Sequence, residues 1–125
     1  MSIPKQYEES DRELVKLTFL WNAQEGNEGL YSLVWELGRY SNLSIGQKYT
    51  LASELLSELV LDGLLVVEVF EDAELNNRVR SLGAAELDTV LNNPCSWYPS
   101  YEPFFAIEIT ETGSSIIMKR DKLAE

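Results

Sequence analysis

Apolar residues recur at three- and four-residue steps in three successive stretches of the N-terminal half, and at every second residue in two stretches further on, which predicts helices followed by strands. The clearest helical stripe is Leu51, Ala52, Leu55, Leu56 and Leu59, with Glu54, Ser57, Glu58 and Asp62 on the opposite face. Ser44 and Gln47 stand at capping-box spacing, so this helix starts near Ile45. Gly63 is placed to end it as the left-handed residue beyond the cap. Residues 64–70 then form a strand. Val66, Val67 and Val69 are β-branched and favour extended backbone, and Leu65, Val67 and Val69 alternate, with Glu68 between the last two.

Upstream, Ser10 and Glu13 again fit a capping box, and Leu14, Leu17 and Trp21, flanked by Val15, Phe19 and Leu20, mark a first helix. Residues 22–29 are polar with two glycines and predict a turn, with Asn27 as the cap of a second helix. That helix carries Leu30, Leu33, Val34 and Leu37 on one stripe, with Tyr31 and Trp35 beside it. Trp21 and Trp35, lying on helical stripes, are expected in the core.

Downstream of Phe70, residues 71–77 are an acidic loop and 78–82 continue an extended or irregular path. Leu87, Val90 and Leu91 mark a short helix over about 84–92, served at its start by Ser81 or Gly83 and stopped by Asn93-Pro94. Residues 94–103 hold three prolines and three large aromatics, a stiff loop. Phe105, Ile107 and Ile109 alternate with Ala106 and Glu108 in a half-buried strand over 104–110. Gly113 marks a turn, residues 116–118 a short strand or helical turn, and the charged KRDKLAE a frayed tail.

The chain has 125 residues, 45% of them hydrophobic, enough for one domain over 1–125 with a core that needs no staples. No apolar run reaches the ~18 residues of a membrane helix. The N-terminus, MSIPKQYEESDREL, lacks a signal-peptide profile. A cytoplasmic protein with no membrane association is therefore expected. Cys95 is the only cysteine and histidine is absent, which removes internal disulfides, a cysteine-based zinc site and every Ser-His or Cys-His pair. With no glycine-rich phosphate loop or metal-ligand spacing, no catalytic, cofactor-binding or metal site is predicted, and an enzyme is disfavoured. Cys95 is expected to serve packing, and Glu108 and Glu111, flanking the last strand, show nothing unusual in sequence.

The formal net charge is −11. Between Thr50 and Asn77 stand seven acids, Glu54, Glu58, Asp62, Glu68, Glu71, Asp72 and Glu74, and no Lys or Arg. Such a field repels a phosphate backbone and speeds association with a basic partner by about 10–10³-fold.

Three helices, a strand, an insertion and a second strand are the order of a winged helix-turn-helix domain. LSELVLDGLLVV, ending at Val67, resembles the end of a third helix passing through "LxxDGLL" into the first wing strand. IEITETG at 107–113 resembles the returning strand with its "T-x-x-G" close. The expected fold is thus α+β and winged-helix-like: three N-terminal helices, then a β-hairpin wing carrying an insertion over about 71–103 with a short helix. A second resemblance lies in the insertion, SLGAAELDTVLNNPCSWYP at 81–99 followed by ITETG. Through Leu82, Glu86, Leu91, Pro94, Trp97, Pro99, Thr112 and Gly113 it is similar to small bacterial proteins of unassigned role and to immunity proteins of polymorphic or contact-dependent toxin systems. That resemblance implies a small, acidic toxin inhibitor that works by occlusion.

A winged helix also implies DNA binding through its third helix. Here the exposed side of that helix offers Glu54, Ser57, Glu58 and Asp62, and the wing begins with Glu71, Asp72 and Glu74. Groove readers need cations at such places. Arg78 and Arg80 are the best remaining phosphate candidates. A nucleic-acid partner is disfavoured, a basic protein such as a toxin domain is preferred, and a homodimer is compatible with the layout. The alternative remains a winged-helix DNA-binding transcriptional regulator. The candidate partner-binding residues are Glu54, Glu58, Asp62, Glu71, Asp72, Glu74, Trp97, Tyr98 and Tyr101. Two uses stay open for each group. The acids either solvate the surface or meet a basic protein. The three aromatics either fold back over the hairpin and third helix or anchor a partner.

Overall fold

Helix α3, Ile45–Leu61, begins where the capping box places it: Ser44 Oγ accepts from the Gln47 amide at 3.1 Å and Gln47 Oε1 accepts from the Ser44 amide at 2.8 Å. It ends in a Schellman motif. The Gly63 amide donates to the Val60 carbonyl at 3.0 Å and the Leu64 amide to the Leu59 carbonyl at 2.9 Å, with Gly63 at φ +76°. Leu51, Ala52, Leu55, Leu56 and Leu59 are all buried, each leucine contributing about 1.5–3 kcal/mol relative to exposure.

The computed structural model describes residues 6–26, 28–72, 74–75, 77–99 and 102–124, with side chains as far as Lys119. A 3-10 turn, Glu9–Asp11, leads into α1, Arg12–Glu25; then come strand β1, Glu28–Gly29, helix α2, Leu30–Glu36, and α3. Strand β2, Leu65–Phe70, forms a hairpin with β3, Arg78–Ser81. Helix α4, Ala84–Leu91, a 3-10 turn, Pro94–Trp97, strand β4, Phe104–Ile109, and helix α5, Glu111–Ala124, complete the chain. The architecture is α+β. The four strands form one antiparallel sheet in the order β1-β4-β2-β3. Leu65, Val67 and Val69 on β2 and Phe105 and Ile107 on β4 turn one face of the sheet to the main core, with α1, α2 and α3. Phe70, Phe104 and Ala106 form a smaller cluster on the other face with Tyr31 and Leu75.

Several expectations need correction. The 71–103 segment is not wholly an insertion, because residues 78–81 join the sheet as an edge strand, with a register shift between Val69 and Phe70. Helix α1 starts after the 3-10 turn, where the Glu8 amide donates to Asp11 Oδ2 at 3.0 Å; Ser10 lies within that turn. The buried row of α1 is Val15, Phe19, Leu20 and Ala23, whereas Leu14 and Trp21 are exposed. Both rows have helical spacing. Rotation is set by contacts that spacing does not reveal: Arg12 and Lys16 reach Glu58 on α3, and Asn22 donates to Glu36 on α2 at 2.8 Å. Residues 28–29 pair with β4 instead of turning, and Asn27 lies outside the described residues. Trp35 is 76% exposed on the short helix α2, its ring edge-on to Tyr31 at 5.9 Å.

The largest departure is α5. Gly113 sits in its first turn, where a Cβ would collide with the Leu64 carbonyl oxygen. Glycine is there for close approach, not for a turn. Thr110 caps the helix: its hydroxyl accepts from the Gly113 amide at 3.0 Å and donates to the Gly63 carbonyl at 2.7 Å. The "T-x-x-G" piece therefore starts a helix that packs on α1; of the two forms expected for residues 116–118 the helical one is present, and the helix runs on through the charged residues to Ala124 in place of the expected frayed tail.

Candidate functional site

Helix α3 carries its leucine row inward, which leaves Tyr49, Ser53, Ser57 and Leu61 as an outer row at four-residue spacing. Against it stand the C-terminal half of α4 and the 94–98 segment. Between them runs a groove of about 790 Å³, lined on the α3 side by that row with Glu54 and Glu58, and on the other side by Asp88, Leu91, Asn92, Pro94, Trp97 and Tyr98. Among the described residues, three carboxylates and no lysine or arginine line it.

Trp97 closes the inner wall. It is buried, its Nε1–H donates to the Leu91 carbonyl at 3.0 Å, and its ring meets Tyr49 edge-on at 5.7 Å. Asn93 prepares this turn, its side chain accepting from the Cys95 amide at 3.1 Å, with Pro94 starting the 3-10 helix. Cys95 is half-buried. Tyr98 is 51% exposed and Leu61 73% exposed at the mouth. Trp97 thus folds back over α3 while its neighbour Tyr98 faces outward; Tyr101 lies outside the described residues.

The structure divides the candidate acids. Glu54 and Glu58 share the groove, but both are approached by α1. Arg12 forms an ion pair with Glu58 and lies 3.6 Å from Glu54, and Lys16 lies 3.7 Å from Glu58. Glu54 keeps a side chain 59% exposed and is the freer of the two. Asp88, not anticipated from sequence, faces them across the groove; only the placement of α4 against α3 could have revealed it. Asp62 caps the end of α3 outside the groove lining. Glu71, Asp72 and Glu74 sit in the β2–β3 turn, away from the groove. There Glu71 accepts from Asn77 at 3.0 Å, and Asp72 accepts from the Glu74 amide at 3.1 Å.

The two arginines considered for phosphate are also engaged. Arg80 grips Glu86 with both terminal nitrogens at 2.7 and 2.6 Å, and that hydrogen bonding holds the Glu86 carboxyl below its usual range. Arg78 lies 3.3 Å from Glu68. Glu68 is only 2% exposed, although it lies on the β2 face away from the main core, and Ser81 donates to its two oxygens at 3.0 and 2.9 Å. Glu108, the diagonal neighbour on β4, has its pKa raised by hydrogen bonding to Glu68, then by burial and by the Glu68 charge, against the pull of Arg78. Glu108 is therefore not the ordinary surface acid its sequence context suggests. Among the described residues no three carboxylate or thiol groups are grouped to hold a metal ion, and no helix is long and apolar enough to cross a membrane.

The molecule is an α+β domain with an acid-rimmed, apolar-floored groove beside its third helix. No protein-family model matches the chain, and no curated protein or solved structure does so either.

Proposed function

We propose that this chain is an acidic protein-binding module of winged-helix-like layout, and that it serves as a cytoplasmic immunity protein neutralising a basic toxin domain by occlusion. The layout is supported by strand order. The short β1 between the first two helices pairs with the returning strand β4, which pairs with β2 following the third helix, as in a winged domain; β3, which extends the sheet at its edge, and α4 lie between β2 and β4 in the chain. The observation that carries the binding function is the groove. Where a DNA reader presents cations from its third helix, α3 presents Glu54 and Glu58 opposite Asp88, around an apolar floor that includes Leu91 and Trp97. A toxin that holds nucleic acid must itself be basic there, so opposite charge gives the inhibitor speed and selectivity.

The experiment is co-expression with the product of the neighbouring reading frame, comparing wild type with a Glu54→Lys/Asp88→Lys variant. Glu58 is left intact because it holds Arg12 and Lys16. Growth rescued by the wild type and lost with the variant supports the reading. Equal rescue by the two chains overturns the groove as the site. Failure to rescue, together with salt-sensitive binding of random duplex DNA by the isolated chain, transfers the assignment to a winged-helix DNA-binding transcriptional regulator.

A further inference from the structure

Resting on the protein-binding reading above, we infer that the groove between α3 and α4 seats a cationic amphipathic helix of the partner, about three turns long. The α3 wall runs from Tyr49 to Leu61, a rise of about 18 Å, the length of a helix of about 12 residues. Its outer row steps by four residues, the ridge into which a second helix packs, and Ser53 and Ser57 keep the middle of that ridge low between Tyr49 and Leu61.

Backbone chemistry selects a helix over an extended strand. The α3 wall is helical, with its amides and carbonyls bonded internally, and the opposite wall is the last turn of α4 followed by the 3-10 turn of residues 94–97, so among the described residues neither wall presents a strand edge for main-chain pairing. An extended segment lying on Leu61, Leu91 and Trp97 would leave its own peptide groups unpaired against apolar surface, at a cost of about 1–3 kcal/mol each. A helix brings its backbone already satisfied.

Charge selects the sequence type. Glu54 stands on one rim and Asp88 on the other, with the exposed Leu61 and Tyr98 near them. The matching helix carries an apolar stripe at three- and four-residue spacing, flanked on both sides by Lys or Arg. Glu58 takes little part, because Arg12 and Lys16 already neutralise it.

The test uses a synthetic leucine–lysine peptide of about 15 residues, amphipathic as a helix, and a peptide of the same charge interrupted by proline. Each is titrated into the isotope-labelled full chain and followed by NMR. The helical peptide is expected to bind at least about tenfold more tightly than the interrupted one, to shift amides at Ser53, Leu61, Leu91 and Trp97, and to lose about tenfold with Glu54→Lys/Asp88→Lys. Equal affinity of the two peptides, shifts centred on the β2–β3 turn, or indifference to the double variant overturns the inference. Failure of the two proposals is separable. If the toxin is neutralised through Glu54 and Asp88 but the helical peptide does not compete with it, only the helix is wrong; if the double variant still neutralises, the groove itself is.

Discussion

Two pairs of glutamates in this molecule carry the same functional group under opposite conditions. Glu54 and Glu58 lie along one helix, open to the groove, and their counter-ions arrive from a neighbouring helix at the surface. Glu68 lies in the middle of a central strand between Ser81 and Ala106, small neighbours that leave room for a carboxylate, and its oxygens are taken by Ser81 and Arg78. Glu108 stands diagonally beside it. In the first pair Glu54 is available to a partner while Glu58 holds Arg12 and Lys16, and these surface pairs add little to folding, because exposed ion pairs contribute only about 0–1 kcal/mol. The second is part of the sheet. A count of acids cannot separate the two; the surroundings of each carboxylate do.

The sharpest way to break this distinction is to make one chemical change in both places. Glu68→Lys puts a longer, positive side chain between Ser81 and Ala106, against Arg78, with Glu108 as its remaining counter-charge. The expected loss is about 2–3 kcal/mol of unfolding free energy by urea titration. Glu54→Lys is expected to cost under about 1 kcal/mol in the same measurement. Equal costs at the two sites would erase the contrast.

The aromatics of the 94–98 segment divide in the same way, with a smaller effect. Trp97→Phe removes the indole donor to Leu91 and leaves a buried carbonyl unsatisfied, at about 1–2 kcal/mol of stability. Tyr98→Ala is expected to leave the unfolding midpoint within about 0.5 kcal/mol of wild type, yet to weaken partner binding, because half of that side chain already faces solvent. Below these in stability terms comes Glu54→Lys/Asp88→Lys. Its folding cost is small, while association with a basic partner slows by about tenfold at low salt and the difference closes as the Debye length falls below about 8 Å.

Much of the fold could be read from the chain because local chemistry and packing agree there. Ser44, Gln47, Gly63 and the leucine row fix both ends and the inward face of α3 without reference to anything distant. Legibility failed where a distant contact decides. Trp35 has helical spacing but faces solvent, since the seven-residue α2 covers the core with Leu30, Leu33 and Val34 alone. Gly113 has the composition of a turn, but its role is set by the Leu64 carbonyl some fifty residues earlier. Of the candidate groove, Glu54, Glu58, Trp97 and Tyr98 carry a mark in the sequence, and the fold brings these four together. Asp88 carries no local mark, and a charge run along the chain does not disclose that strand β2 carries the hairpin acids away from α3.

The pair on the sheet also gives the contrast a pH signature. Hydrogen bonding to Glu68, followed by burial and the Glu68 charge, raises the pKa of Glu108 above the value it has in the unfolded chain. A group shifted in that direction contributes stability that is fully present below the unfolded pKa and is lost as pH rises through the folded one. Once pH passes that raised folded pKa, the proton that Glu108 offers Glu68 is gone, and two carboxylates face each other diagonally across β2 and β4. Glu108→Gln keeps a donor at that position at every pH. It is therefore expected to stabilise the domain by up to about 1 kcal/mol, the size of a like-charge cross-strand pair, at pH above the raised folded pKa of Glu108, and to gain progressively less as pH falls through it and the wild-type carboxyl takes up its proton. Thermal unfolding of both chains across that range checks it. A gain that stays constant with pH would mean that the variant acts through packing and not through the shared proton. A matching Glu54→Gln series, with no carboxylate facing Glu54 across a strand pair, is expected to show no such stabilisation at neutral pH.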